Sequence, residues 1–451
     1  MANIRVYKFY SSACGERLPA LGKVLVDLKF GLFSKQKDFL RSAEFFQICR
    51  LWEGNSFMHY FDYLSVEEIE NLFHLAPAPF CNRSEKELLS HAIGAALYMP
   101  ATRPTIARDL STGKHKGLTS VVIDLEDAVG DLKVEEAEAS LVSQIHSLDE
   151  WANEGVIDSE LLPLIFIRIR TPEQAERILE QIGSAAVRLT GLVFPKFDVS
   201  TGEGYLKILH DYNESRPSDS PVLYGMPILE SAEVIYAETR RQTLLGIKAL
   251  LDQYREYILN VRIGATDFSS LFGLRRKPDM TIYDIGVIRD CVADIVNLFG
   301  RAGSGYVISG PVWEYFKSDR VLKPQLRETP FQETAGPEGL RLRMQYINKY
   351  VDGLIREVEM DKENGIIGKT IIHPTHICPV QAMYTVTHEE YMDASHILSS
   401  SGGEIGVVKS GYDNKMNEIK PHMNWARRIM IRSEIYGVLN ENQNFTALLV
   451  R

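Results

Sequence analysis

Ser120-Val-Val-Ile-Asp124 is an unbroken apolar run closed by a carboxylate, with Leu125, Glu126 and Asp127 directly after it. Continuous rather than alternating apolar residues suit a strand covered on both faces, the usual condition of a parallel sheet. The same texture recurs in both directions along the chain. Ala95-Ala-Leu-Tyr-Met99 precedes it, and Leu164-Ile-Phe-Ile-Arg168, Gly191-Leu-Val-Phe194 and Val222-Leu-Tyr-Gly-Met226 follow. Asn260-Val-Arg-Ile-Gly264, Gly305-Tyr-Val-Ile308 and Lys369-Thr-Ile-Ile372 complete the set. Helical stretches are expected between them, among them 171–182, 232–254 and the charge-rich 340–363. Eight such runs with helical connectors fit an α/β chain folded as a (β/α)8 TIM barrel. A doubly wound open sheet competes with it, because periodicity alone does not close a barrel.

The flanks read differently. Residues 1–90 form an N-terminal extension of mixed pattern, with a helical piece at 45–52 and a helix start at Ser65, where Glu68 occupies the capping-box position. The catalytic barrel is expected over 91–382. The segment 383–451 carries a Ser/Gly-rich stretch at 399–403 and a helix near 422–439, and is expected to act as a helical lid or oligomerisation segment.

Composition narrows the function. The chain has 451 residues, 45% hydrophobic and 24% charged, which is the profile of a globular protein. Its net charge of -10 disfavours a nucleic-acid backbone as partner. No apolar run approaches the roughly 20 residues of a membrane span, and the start lacks a secretory pattern. Cys14, Cys49, Cys81, Cys291 and Cys378 are scattered and odd in number, without metal spacing. A cytoplasmic location is the expectation. No nucleophile elbow or phosphate loop is present, and Ala302-Gly-Ser-Gly305 is too short for a dinucleotide motif. Hydride transfer and nucleotide hydrolysis are set aside.

Polar residues gather at the C-terminal ends of the expected strands: Asp124, Glu126 and Asp127; Arg168; Lys196; Glu230; Asp267; His373. In a parallel barrel these ends open on one face. Carboxylates converging there repel one another unless a cation compensates them, and oxygen-only ligands suit Mg2+ or Mn2+ better than zinc. Each residue also has a plainer reading. Asp127 could cap the following helix. In Ile167-Arg-Ile-Arg170 one arginine could pair with Asp124 or Glu126 while the other meets an anion. Lys196 is open to both readings, and His373 and His376, astride Pro374, favour structural hydrogen bonding.

Val121-Val-Ile-Asp-Leu-Glu-Asp-Ala-Val129 resembles the signature of the citrate lyase β-subunit / HpcH-HpaI aldolase family. Ile167-Arg-Ile, Phe194-Pro-Lys196, Pro227-Ile-Leu-Glu-Ser231, Gly264-Ala-Thr-Asp-Phe268 and Gly368-Lys-Thr-Ile-Ile-His-Pro-Thr-His376 resemble its further motifs in order, over roughly residues 94–440. The resemblance implies a Mg2+-dependent TIM-barrel lyase or aldolase. Such enzymes act through an enolate on a 2-oxo or 3-hydroxy acid or a CoA thioester, and assemble as homo-oligomers, trimers or hexamers. It implies Glu230 and Asp267 as metal ligands and Arg168 as the enolate-stabilising arginine. Asp124, Glu126 and Asp127 match the supporting acidic cluster, and Arg103, Arg170 and Lys196 are expected to bind substrate. Lys415-Met-Asn-Glu-Ile-Lys-Pro421 resembles a tail segment in which relatives carry a catalytic Asp, often reaching a neighbouring subunit; here the position is Glu418. The chain departs from the family in Met99-Pro-Ala-Thr-Arg103, where Pro-Gly is usual, and in its extension. It is most similar to the divergent branch linked with tellurium-resistance and stress operons. A thioesterase or modified-nucleotide or sugar enzyme on the same barrel, and a non-catalytic scaffold, remain as alternatives.

Overall fold

A computed structural model describes residues 57–316, 336–339, 341, 351–402 and 406–449. The helical piece at 45–52 and most of 340–350 lie outside them. Seven of the eight expected runs overlap a strand over several residues, and the eighth, 305–308, enters its strand only at Ile308: β1 (Ala95–Pro100), β2 (Ser120–Asp124), β3 (Leu164–Arg168), β4 (Gly191–Phe194), β5 (Tyr224–Leu229), β6 (Val261–Ile263), β7 (Ile308–Trp313) and β8 (Ile366–Ile371). Each pairs in parallel with the next, and β1 pairs with β8 through Ala95↔Lys369, Ala96↔Thr370 and Leu97↔Ile371. That last pairing closes the barrel and excludes the open sheet. Strands such as β2 and β3 are buried at every residue, as their uninterrupted apolar sequence requires.

Local signals explain the helices. Thr171 caps Pro172–Ile182 by accepting from the Gln174 N–H, with Pro172 in the first turn. Ser65 and Glu68 form the expected capping box. The helix expected over 232–254 is broken into Ala232–Ile235 and Arg240–Gln253. The Thr239 hydroxyl donates to the carbonyls of Glu233 (2.8 Å) and Tyr236 (3.3 Å) at the break, a side-chain alternative to the helical ladder. Among the described residues no helix is long and apolar enough to cross a membrane. Cys81 and Cys291 are buried free thiols, as their scatter implied.

The tail contains helices His388–Ser399 and Ile419–Tyr436 and does not arch over its own barrel mouth. Tyr436 donates to the His91 carbonyl (2.7 Å) and Arg428 to the Gly300 carbonyl (2.9 Å), both on connections that lead into strands. Phe73 and Leu75 pair with Leu439 and Val438, and the Tyr60 and Tyr436 rings lie 4.4 Å apart. Extension and tail therefore clasp each other against the N-terminal end of the barrel, opposite the mouth. The expectation of a lid over the same chain's mouth is corrected: aromatic packing and backbone pairing with residues 57–91 draw the tail the other way.

On the outer side of β8 lies a buried ionic network. Lys369 Nζ contacts Glu357 Oε1 and Asp361 Oδ2, each at 2.7 Å, all three fully buried. Arg276 also pairs with Glu357, and Tyr283 donates to Asp361 (2.6 Å). Lys369→Met leaves the Asp361 carboxylate without its cation. It is expected to cost about 3–5 kcal/mol, read as a lowered midpoint in urea unfolding.

Candidate active site

The mouth is built upward from β2 and β3. Asp124, at the end of β2, accepts from the N–H groups of Glu126 (2.9 Å) and Ala128 (3.1 Å), folding the acidic turn back over the strand end. Its two oxygens also take Arg168 Nε (2.7 Å) and NH2 (2.6 Å) in a fork-to-fork pair. Arg168 NH1 then reaches Glu126 (3.0 Å) and Asp127 (3.2 Å). Burial alone would lower the Arg168 pKa, but the Asp124 carboxylate outweighs it and holds the guanidinium firmly charged. Burial pushes the Glu126 carboxyl up, against the pull of Arg168. Asp127 ends below the usual range, because hydrogen bonding to Glu126 and the charges of Arg168 and Lys196 overcome its own burial.

Lys196 follows β4 with a φ of 46°, a left-handed conformation that costs a non-glycine residue about 1–3 kcal/mol. The bend aims its backbone N–H at Glu230 Oε1 (2.8 Å), while its ammonium pairs with Glu126. The strained residue thus ties the acidic turn to the carboxylate that follows β5.

Glu230 is 4% exposed, and Asp267 is half-buried in the first turn of the helix Ala265–Leu271 after β6, near enough for its charge to act on Glu230. Burial, and then the Asp267 charge, push the Glu230 carboxyl up to about 8. Burial and the Asp127 charge likewise raise Asp267. Two carboxyls held together in a poorly solvated place share a proton when no cation is present. Gly264 makes the approach feasible: a Cβ there would lie 2.1 Å from Glu230 Oε2.

The other expected residues fall in different places. Arg170 has its donors engaged by the carbonyls of Leu125 (2.7 Å), Glu126 (3.1 Å) and Val129 and by Asp131 (2.7 Å), so it straps the 125–131 turn. Arg103 is paired with Asp109. Local acceptors hold part of both guanidiniums, as the acidic turn holds that of Arg168. His373 caps the turn at Pro374–His376 through Thr375 (2.8 Å) and stacks on Phe316, and burial pushes His376 down to about 4. Both act as structural histidines. Glu418 is exposed, pairs with Val407 in a hairpin and precedes Ile419–Tyr436, so it is not with the mouth residues of its own chain. Sequence reasoning missed Tyr98, Arg262 and Thr370, which line the bore. The signal was a charged residue inside the buried run Asn260-Val-Arg-Ile-Gly264.

A family model for C–C bond lyases of the TIM-barrel fold matches residues 87–438. The chain belongs to that family. A search of curated proteins finds no match. Among solved structures, the fold is similar to a citrate lyase from Burkholderia xenovorans LB400 (14% identity, TM-score 0.51, covering 79% of this chain and 96% of that one). A further similar structure is Mycobacterium tuberculosis CitE in complex with magnesium, acetoacetate and coenzyme A (17% identity, TM-score 0.45, covering 76% and 99%). Membership of this lyase family agrees with an enzyme whose polar residues face the mouth.

The donor set fits a hard divalent cation. Among the described residues no group of three or more His, Cys, Asp and Glu forms a cage. Mg2+ needs none, since it is commonly held by one or two carboxylates, with water and substrate oxygens completing the shell. Glu230 and Asp267 would hold it.

The raised Glu230 pKa has a definite sign. Between its ordinary value of 4.5 and about 8, the folded protein binds a proton that the unfolded chain does not. Metal-free stability should therefore fall as pH rises through that window. Glu230→Gln is expected to flatten the slope, measured by urea midpoints from pH 5 to 8.

Proposed function

We propose that this protein is a Mg2+-dependent carbon–carbon bond lyase acting through an enolate on a 2-oxo or 3-hydroxy acid, or on the corresponding CoA thioester. The observation that carries the reading is the placement of two carboxylates, Glu230 after β5 and Asp267 in the first turn after β6, at the same mouth as Arg168. Bound there, the cation supplies Lewis acidity toward the substrate carbonyl oxygen.

The chain's own residues do the remaining work. In retro-aldol cleavage the hydroxyl loses its proton to a base and becomes a carbonyl. The carbon–carbon bond breaks, and its electron pair passes to the fragment that becomes the enolate. Arg168, fixed by Asp124, presents a pre-oriented positive charge at the mouth where that oxygen charge develops. Glu126 and Asp127 hold Arg168 and Lys196 in place. Glu418 is proposed to move the proton from a neighbouring subunit of a homo-oligomer, a trimer or hexamer, since its own chain places it away from the mouth. The barrel is assigned to 91–382, with 1–90 and 383–451 as flanking segments and a cytoplasmic setting.

Asp267→Asn is expected to abolish Mg2+ binding by calorimetry and lyase turnover on 2-oxo and 3-hydroxy acids, while the far-UV spectrum is unchanged. Full Mg2+ affinity in that variant would contradict the assignment. In the unaltered protein, Mg2+ binding near pH 7 is expected to release a proton. The release would appear as a calorimetric enthalpy that depends on the buffer, and should be absent in Glu230→Gln.

A further inference from the structure

The bore beneath the mouth contains a second guanidinium that nothing above has used. Arg262, on β6, lies two residues before Gly264, and Ile228↔Arg262 and Leu229↔Ile263 set the register, so Glu230 stands level with Gly264. A Cβ on Gly264 would meet Glu230, so this position faces the bore. Residues two apart on a strand share a face, which puts Arg262 one inward step below the Glu230 carboxylate. Its Cζ lies 5.9 Å from the centre of the Tyr98 ring, and Arg168 Cζ lies 5.3 Å from the same centre. Two guanidiniums thus meet one aromatic ring inside the barrel.

Their surroundings differ. Arg168 has its NH1, NH2 and Nε all engaged by Asp124, Glu126 and Asp127. Arg262 is 1% exposed, donates NH2 to the Thr370 hydroxyl (2.5 Å), and makes no ion pair among the described residues. Its NH1 is buried and has no hydrogen-bond partner there. A charged group buried this completely without a counter-charge is costly. A structural role would be served better by a neutral side chain of similar volume. Tyr98 and Thr370, the groups beside it in the bore, are half-buried.

We infer that Arg262 is the residue that receives the substrate's carboxylate. The substrate enters carboxylate-first, with its reacting carbons level with Glu230 and Asp267. Resting on the function proposed above, this narrows the substrate class to small acids, or thioesters with a free carboxylate on the acyl part. A guanidinium offers a planar fork that fits a carboxylate. Tyr98 provides an apolar wall on which the acid's carbon chain can lie.

The test uses the full chain and pyruvate, the smallest 2-oxo acid, with its neutral amide as control. Both are titrated by calorimetry in Mg2+ and in EDTA, and Mg2+ is titrated separately. Arg262→Gln is expected to weaken pyruvate binding by roughly tenfold to a hundredfold, with Mg2+ affinity unchanged within about twofold. Arg262→Lys, which keeps the charge but loses the fork, should fall between. The amide should bind weakly and respond to neither substitution. The ligand-free Gln variant should melt no lower than the unaltered protein, because an uncompensated charge has been removed. Equal pyruvate affinity in the Gln variant, amide binding as tight as pyruvate, or no pyruvate binding to the unaltered protein in either condition would overturn the inference. A marked drop in melting temperature would also overturn it, by assigning Arg262 a structural role. Failure of the Gln variant to fold is the extreme of that drop and overturns it on the same ground. Failure of Mg2+ to bind the unaltered protein counts against the proposed function instead, and the EDTA titration still judges Arg262.

Discussion

Two carboxyl groups that would repel each other in the ionised state stand at the ends of neighbouring strands, Glu230 buried and Asp267 half-buried. The barrel enforces this closeness. Glu230 leaves the end of β5, Asp267 sits in the first turn of the helix after β6, and the two strands are hydrogen-bonded neighbours. Gly264 removes the atom that would separate them, and the left-handed backbone of Lys196 adds an N–H to one Glu230 oxygen. The electrostatic tension stored in this pair is what a divalent cation relieves, and the remainder of the mouth is arranged around it.

That surrounding arrangement is a chain of charge compensation. Asp124 orients the acidic turn through two backbone N–H groups and grips Arg168 with both oxygens. Arg168 in turn steadies Glu126 and Asp127, which hold the Lys196 ammonium. Arg170 fastens the same turn from behind. A site organised this way on strand ends keeps its geometry without help from mobile loops. It also ties Nε, NH1 and NH2 of Arg168 to the chain's own carboxylates, which hold its charge at the mouth. Arg262 is the group with a donor left over.

Much of this architecture is written locally. Runs such as Leu164-Ile-Phe-Ile-Arg168 announce strands buried on both faces, and their terminal polar residues mark which end carries chemistry. Glu230 and Asp267 were recognisable because each follows such a run at short distance. Other features depend on contacts remote in sequence. Barrel closure rests on β1 meeting β8, and the tail's position rests on Tyr436 finding His91 and Tyr60, more than 340 residues away. No local pattern encodes either. The break at 236–239 turned on one Thr hydroxyl, and the engagement of Arg170 turned on backbone carbonyls of a turn whose path the sequence does not specify. Arg262 was visible as a charge in an apolar strand, yet its meaning required knowing that the strand faces a bore.

The most direct measurement is a crystal structure of the protein soaked with Mn2+, examined for anomalous scattering. The account predicts one strong peak at the barrel mouth, about 2.0–2.4 Å from one oxygen each of Glu230 and Asp267, with Arg168 still clasped by Asp124. A protein that binds Mn2+ elsewhere, with no density between Glu230 and Asp267, would contradict it.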